Sequence, residues 1–170
     1  HGISNEEFDL ARERALHALL VAEQAQELAA CFRAHSMLAS IGMRLGEHHI
    51  VRHHCERGLA LVRRLGSPGH EVWFRHGLAL ANLLSGAWTE SLRGSIDAIA
   101  LARRTGRRPY VARSLAGRAM VLALQGDLSE AEACLSEARL AIGGPSQEGP
   151  ADRHVLGPIN IAETILALER

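Results

Sequence analysis

The stretch Ala119–Ile142 reads AMVLALQGDLSEAEACLSEARLAI, two apolar-periodic runs joined by Gln125-Gly126-Asp127. After the glycine, Leu128, Ala131, Leu135, Ala138 and Ile142 recur at steps of three and four, the period of one helix face. A glycine between two such runs accepts the left-handed backbone that ends one helix and lets the next fold back. Asp127 with Glu130 adds an N-terminal capping pair. The stretch therefore predicts an antiparallel helical hairpin.

The same signature recurs at a period of forty. Gly46, Gly86 and Gly126 are the turn residues, with Ala39, Ala79 and Ala119 seven positions before them. Gly58, Ala98 and Ala138 lie twelve positions after, where small side chains let two helices approach. The second-helix stripe runs Trp88, Leu92, Ser95, Ile99, Ala102 in the middle copy and His48, Val51, Cys55, Leu59, Val62 in the first. By this register Trp88 reads as core. Gly66 and Gly106 extend the match, and Ser146 breaks it in the third copy. Ser4 with Glu7 forms a capping box, Ser67-Pro68 an N-cap followed by proline at the first helical position, and Pro109 marks a break between pairs. Helices are predicted near 5–27, 30–45, 47–65, 69–85, 88–105, 109–125, 128–142 and 157–169, with one loop at Gly143–Arg153.

Three hairpins follow, at about 30–65, 69–105 and 109–142, with unpaired helices at 5–27 and 157–169. A repeat stack needs capping units, because an open end exposes an apolar face. Neither end has the composition of a cap, so residues 1–170 read as one array that is a piece of a longer protein. Open ends carrying Ile159, Ile161, Ile165 and Leu168 point to end-to-end homodimers.

Composition agrees with packed helices: 47% of the 170 residues are apolar but only 4% aromatic. Nineteen basic residues balance nineteen acidic ones, so the totals show no surplus for nucleic acid. Every basic residue is Arg, which removes Schiff-base and P-loop lysine chemistry. No apolar run reaches the roughly 18 residues a membrane span needs. Cys31, Cys55 and Cys134 are scattered, which fits a reduced, cytoplasmic setting.

The copies resemble tetratricopeptide repeats (TPR). The shared residues are Ala119, Gly126-Asp127-Leu128, Ala131 and Ala138. The period departs from the family's roughly 34 residues, and the first-helix aromatic is replaced by Gly42, Asn82 and Leu122. The resemblance implies an all-α, right-handed superhelix of antiparallel hairpins. The phrases AIALARRTG (98–106) and LALQGDLSEAEACLSEARLAI (122–142) resemble the repeat sensor region of LuxR-family regulators of the maltotriose-activator type. That likeness implies flanking ATP-binding and DNA-binding domains in the same bacterial polypeptide. This segment itself has no phosphate loop of the GxxxxGK[ST] kind.

In such arrays the first helices line the concave face. The inward positions are then Arg33, Ser36, Ser40, Met43 and Arg44 in the first copy, and Trp73, His76, Leu80 and Leu83 in the second. Arg113, Ala116 and Met120 occupy them in the third. Arginines suit carboxylates or phosphates, and a tryptophan suits stacking or apolar contact. His49 and His53 share a helical face and are the metal-ligand candidates, but two ligands fall short of a zinc site. The plainer reading packs His48 and Cys55 in the hairpin and turns His49, His53 and His54 to water. No nucleophile elbow or convergent acid/base pair appears, so neither enzyme activity nor a cofactor is expected. The function expected is a non-catalytic binding and regulatory module of a transcriptional or signalling regulator. It would recognise an effector or protein partner on its concave face, with no direct contact to nucleic acid or membrane. The other reading is a standalone scaffold that docks a partner's peptide or helix.

Overall fold

The computed structural model describes residues 5–143 and 153–168. These form α1 (Asn5–Gln24), α2 (Leu28–Leu45), α3 (His48–Arg64), α4 (Pro68–Leu84), α5 (Trp88–Arg104), α6 (Arg108–Leu124), α7 (Leu128–Ala141) and α8 (Arg153–Leu168). Ser4, and positions 144–152 of the predicted loop, lie outside the described residues.

One turn joins α1 through α7. Gly46, Gly66, Gly86, Gly106 and Gly126 all have φ between 62° and 84°, and Gln26 stands at the equivalent place with φ 56°. The positions are spaced by twenty, so both kinds of junction, within and between hairpins, use the same geometry. At each one the next amide reaches back five residues: Glu27 to Ala22, Glu47 to Gly42, Ser67 to Val62, Ala87 to Asn82, Arg107 to Ala102 and Asp127 to Leu122, at 2.8–3.0 Å. That is the six-to-one bond of a Schellman motif, which satisfies a carbonyl the helix end would leave bare. A Cβ on any of these five glycines would meet nothing within 4 Å. Glycine is required here for its backbone angle, not for space.

The helices stack in two layers. The backbones of the even-numbered helices approach those of their even-numbered neighbours in sequence, while the backbones of α1, α3, α5 and α7 approach only even-numbered ones among the described residues, α5 and α7 meeting through side chains in the Arg103–Glu137 ion pair. The inner layer is therefore continuous and the outer layer splayed, which gives the stack its superhelical, concave shape. The core runs along the stack as successive clusters. Ala15, Leu19 and Leu38 form the first, Val51, Val62 and Phe74 the next, and Leu115, Leu135 and Ile159 belong to the last. Close approach occurs where the repeat places small residues: a Cβ on Gly58 would lie 2.1 Å from the buried Phe74 ring. Ser91, which stands where the other copies carry Val51 and Ala131, is buried with its hydroxyl donating to the Ala79 carbonyl at 2.9 Å.

Four local expectations are corrected. Trp88 is 36% exposed rather than core, because it opens α5 and a helical side chain leans back toward the N-terminus, off the end of the packed face. Ser67 does not cap α4 with its side chain; its hydroxyl pairs with His70 Nδ1 at 2.7 Å. The last helix begins at Arg153, with Pro158 inside it, where the proline removes one main-chain donor. His54 faces inward, not to water. Asp127 does cap α7, accepting from the Glu130 amide at 3.2 Å.

His54 is turned in because α3 packs that face on α2. Its Nδ1 lies 2.9 Å from His35 Nδ1 in the hairpin interior, so one ring donates and the other accepts. Burial, then the neighbouring His35 and His53, pushes His54 down to about 4. Burial lowers His35 as well, against the pull of Glu23 and with that of His53 and Arg57.

Two predictions follow from these contacts. Gly86→Ala should lower stability by about 1 kcal/mol, the cost of left-handed backbone for an L residue. Gln26→Gly should shift it the other way by a few tenths of a kcal/mol, since the relief of that strain is partly offset by unfolded-chain entropy. Urea midpoints at constant slope test both.

The histidine pair sets a pH window. Both folded values lie below the ordinary 6.5, so the unfolded chain takes up protons first. The pair's contribution is whole above about pH 6.5 and is lost as pH falls toward 4. The urea midpoint should drop between about pH 7.5 and pH 5, and His54→Gln should flatten that slope. An unchanged slope in the variant would refute the assignment.

Candidate functional site

The concave face is built from α2, α4 and α6, whose inward positions recur at helical intervals. Ser40, Met43 and Arg44 come from α2, Trp73, His76 and Leu80 from α4, and Arg113 from α6. With Pro158 of α8 they line an open cavity of about 410 Å³. Seven of the residues singled out by spacing thus share one cavity.

The others do not. Leu83 is buried: it follows Val72 and Ala79 by eleven and four positions, and so shares their packed face of α4. Ala116 is also buried, in the cluster around α6, and Met120 packs against that cluster. Arg33 lines a different groove, between α1 and α2. Ser36 lies in a smaller aromatic cleft of about 120 Å³ beside the cavity, with Phe32, His70, Trp73 and Tyr110. Trp73 borders both spaces.

The aromatic cleft was missed by spacing, although a signal for it exists. His70 and Tyr110 stand three residues before Trp73 and Arg113, one helical turn earlier on the same face. The Phe32 and His70 rings lie 4.9 Å apart between centroids. The Arg33 guanidinium stands 6.0 Å from the Phe32 ring, and that of Arg113 5.5 Å from Tyr110, within cation–π range. Pro158 had no such signal, because α8 follows a different spacing.

Charge is sorted between the layers. The inner helices α2, α4, α6 and α8 carry seven arginines (positions 33, 44, 75, 108, 113, 118 and 153) against Glu71 and Glu163 alone. The outer helices carry ten arginines and eleven acidic residues. Glu71 is taken by Arg75 at 2.8 Å and Arg63 at 3.2 Å, and Glu163 by Arg139. Arg33, Arg44 and Arg113 have no carboxylate partner among the described residues.

Arg113 is the most constrained of these cations. It is half-buried, and its Nε is shut off from solvent with no hydrogen-bond partner. Burial lowers its pKa, partly offset by Tyr110, and leaves it charged near neutrality. Beside it, His76 Nδ1 lies 3.2 Å from the Ser114 hydroxyl. Burial, then the Arg113 charge, pushes His76 down to about 4. At neutral pH the cavity thus holds a neutral imidazole and two arginines over Met43, Trp73 and Leu80. No carboxylate of the described residues lines it, so these residues offer an anion-accepting surface rather than an acid/base pair.

His49 and His53 are exposed on the outside of α3. Among the described residues no group of three or more potential metal ligands converges. No helix there is long and apolar enough to cross a membrane. Cys31, Cys55 and Cys134 are buried and unpaired, with burial pushing Cys55 up to about 12.

A tetratricopeptide repeat family model matches residues 71–139, which run from the first turn of α4 to the last turn of α7. No curated protein matches the chain. With eight helices in tandem among the described residues, the chain is a TPR-like helical repeat, a fold that is typically a non-catalytic scaffold and generally mediates protein–protein interaction.

Proposed function

We propose that this array is a non-catalytic binding module that seats an anionic, extended segment of a protein partner on its concave face. The observation that carries the reading is Arg113. A half-buried guanidinium whose Nε has no acceptor, opening on an apolar cavity without a carboxylate, is a receptor for one. Arg44 adds a second cation at the rim, and Trp73 separates the cationic cavity from the aromatic cleft. The segment that fits such a surface pairs an acidic side chain or terminal carboxylate with a ring or branched apolar residue nearby.

The setting belongs to the same proposal. The likeness of residues 98–106 and 122–142 to repeat sensor regions supports a cytoplasmic role inside a bacterial transcriptional or signalling regulator, beside ATP-binding and DNA-binding domains. In a plain scaffold the same face would dock a partner without those neighbours. A small anionic effector is the second reading, favoured by a cavity volume within the range of small-molecule sites.

A peptide array of acidic sequences beside their amide counterparts (Asp to Asn, Glu to Gln) tests the reading, with hits measured by fluorescence anisotropy. Acidic peptides should bind, and Arg113→Gln should weaken them about tenfold, the loss of one charge-assisted hydrogen bond. Arg93→Gln on the outer layer should leave binding unchanged. Affinity should stay flat from about pH 8 to pH 5.5, because His76 takes up its proton only near 4. Equal binding of acidic and amide peptides would overturn the proposal. Binding of free dicarboxylates without peptides would favour the effector.

A further inference from the structure

The repeat register aligns the residues that link one outer helix to the next across the inner helix between them. Across α4, Arg63 of α3, Glu71 and Arg75 of α4 and Asp97 of α5 form one chain of ion pairs, at 3.2, 2.8 and 4.0 Å. Across α6, Arg103 of α5 stands forty residues after Arg63, and it pairs directly with Glu137 of α7, forty after Asp97. A cation on the first wall and a carboxylate on the second thus tie each interval.

Across α2 the walls are charged at the same places, but with the signs exchanged and no tie. Forty residues before Arg63 and Asp97 stand Glu23 of α1 and Arg57 of α3. Forty before Glu71 and Arg75 stand Cys31 and His35, which supply no pair of opposite charges. Arg12 reaches Glu47 at the start of α3, at 2.6 Å, but Glu23, Arg57 and Arg64 make no ion pair among the described residues. They border a cavity of about 600 Å³, which Cys31, His35 and Leu61 also line.

The floor of this cavity is uncharged near neutrality. Burial lowers His35 and raises the Cys31 thiol. His35 Nδ1 is held by His54 at 2.9 Å, which leaves Nε2 for a ligand. The charge of the cavity therefore lies in two arginines and one glutamate, an excess of one positive charge. What is missing is a link with a cation for Glu23 and an anion for Arg57. Arg64 lies two turns further along α3, about 10 Å at the backbone, and so takes a second anionic group rather than sharing the first. A ligand with one positive and two negative charges leaves the loaded site neutral.

We propose that the groove across α2 binds an acidic amino acid, its ammonium on Glu23 and its two carboxylates on Arg57 and Arg64. The ligand ties α1 to α3 as the chain from Arg63 to Asp97 ties α3 to α5. The site is separate from the concave cavity around Arg113, and neither reading depends on the other.

Isothermal titration calorimetry of the 170-residue chain with L-glutamate and L-aspartate tests this. Glutarate and succinate lack the ammonium, and L-glutamine and L-asparagine lack the second carboxylate. At least one acidic amino acid should bind, and its two counterparts about tenfold more weakly, the loss of one charge-assisted contact. Glu23→Gln should remove the preference over the diacid, and Arg64→Gln the preference over the amide. Arg57→Gln should weaken the acidic amino acid about tenfold. All three side chains are exposed, so the fold should survive, as circular dichroism will show. Arg113→Gln should leave this binding unchanged. Failure of both acidic amino acids to bind would overturn the inference. So would a diacid that binds equally well, or binding lost in Arg113→Gln and kept in Arg57→Gln, which would place the ligand in the concave cavity.

Discussion

Everything in this molecule hangs on one backbone conformation repeated every twenty residues. A left-handed residue ends each of the first six helices, and the next amide bonds five residues back. Because the turn is the same at each of these six junctions, the chain reverses direction at a fixed interval of twenty residues. Two layers follow from that uniformity, and with them the placing of inward positions along a single face. The departure at the far end makes the same point. Gly143 also has positive φ, at 91°, but it is seventeen residues beyond Gly126 rather than twenty, and α8 then packs mainly on α6 instead of on the outer helix before it.

How far this was legible depends on what the residues advertise. Glycines at fixed spacing gave the hairpins and most helix ends within a few residues. Gln26 concealed one copy of the same turn, because nothing in a glutamine announces a left-handed backbone. Trp88 was misplaced because periodicity describes an endless helix, whereas a residue at the first position has no preceding turn to lean on. His54 was assigned to solvent on polarity, yet a histidine that can pair with another satisfies its ring nitrogen inside the hairpin. Leu83 shows the limit of face arithmetic: a helix with neighbours on two sides has a narrow free face, and its edge positions belong to the core. The aromatic cleft was within reach, since it needed only one more turn of the same register.

The balanced charge of the whole chain hides an unbalanced interior face. A net charge of zero suggests no electrostatic preference, but acidic residues are concentrated on the outer helices and the junctions. The inner helices keep their arginines and place the two glutamates they own in ion pairs. A field of one sign over a concave, partly apolar floor attracts the opposite charge more effectively than the same residues spread over a convex surface. Layer assignment turns a neutral composition into a directional one.

The splayed outer layer has a mechanical meaning. Since the inner helices meet along their backbones while outer helices such as α5 and α7 meet through side chains, the stack resembles a beam reinforced along one edge. Flexing such a beam opens and closes the gaps on the unreinforced side while the spacing along the reinforced side barely alters. The floor that carries Trp73 and Arg113 lies along that reinforced edge. Bending of such a stack would distort the cavity beside Arg113 less than the gaps between the outer helices.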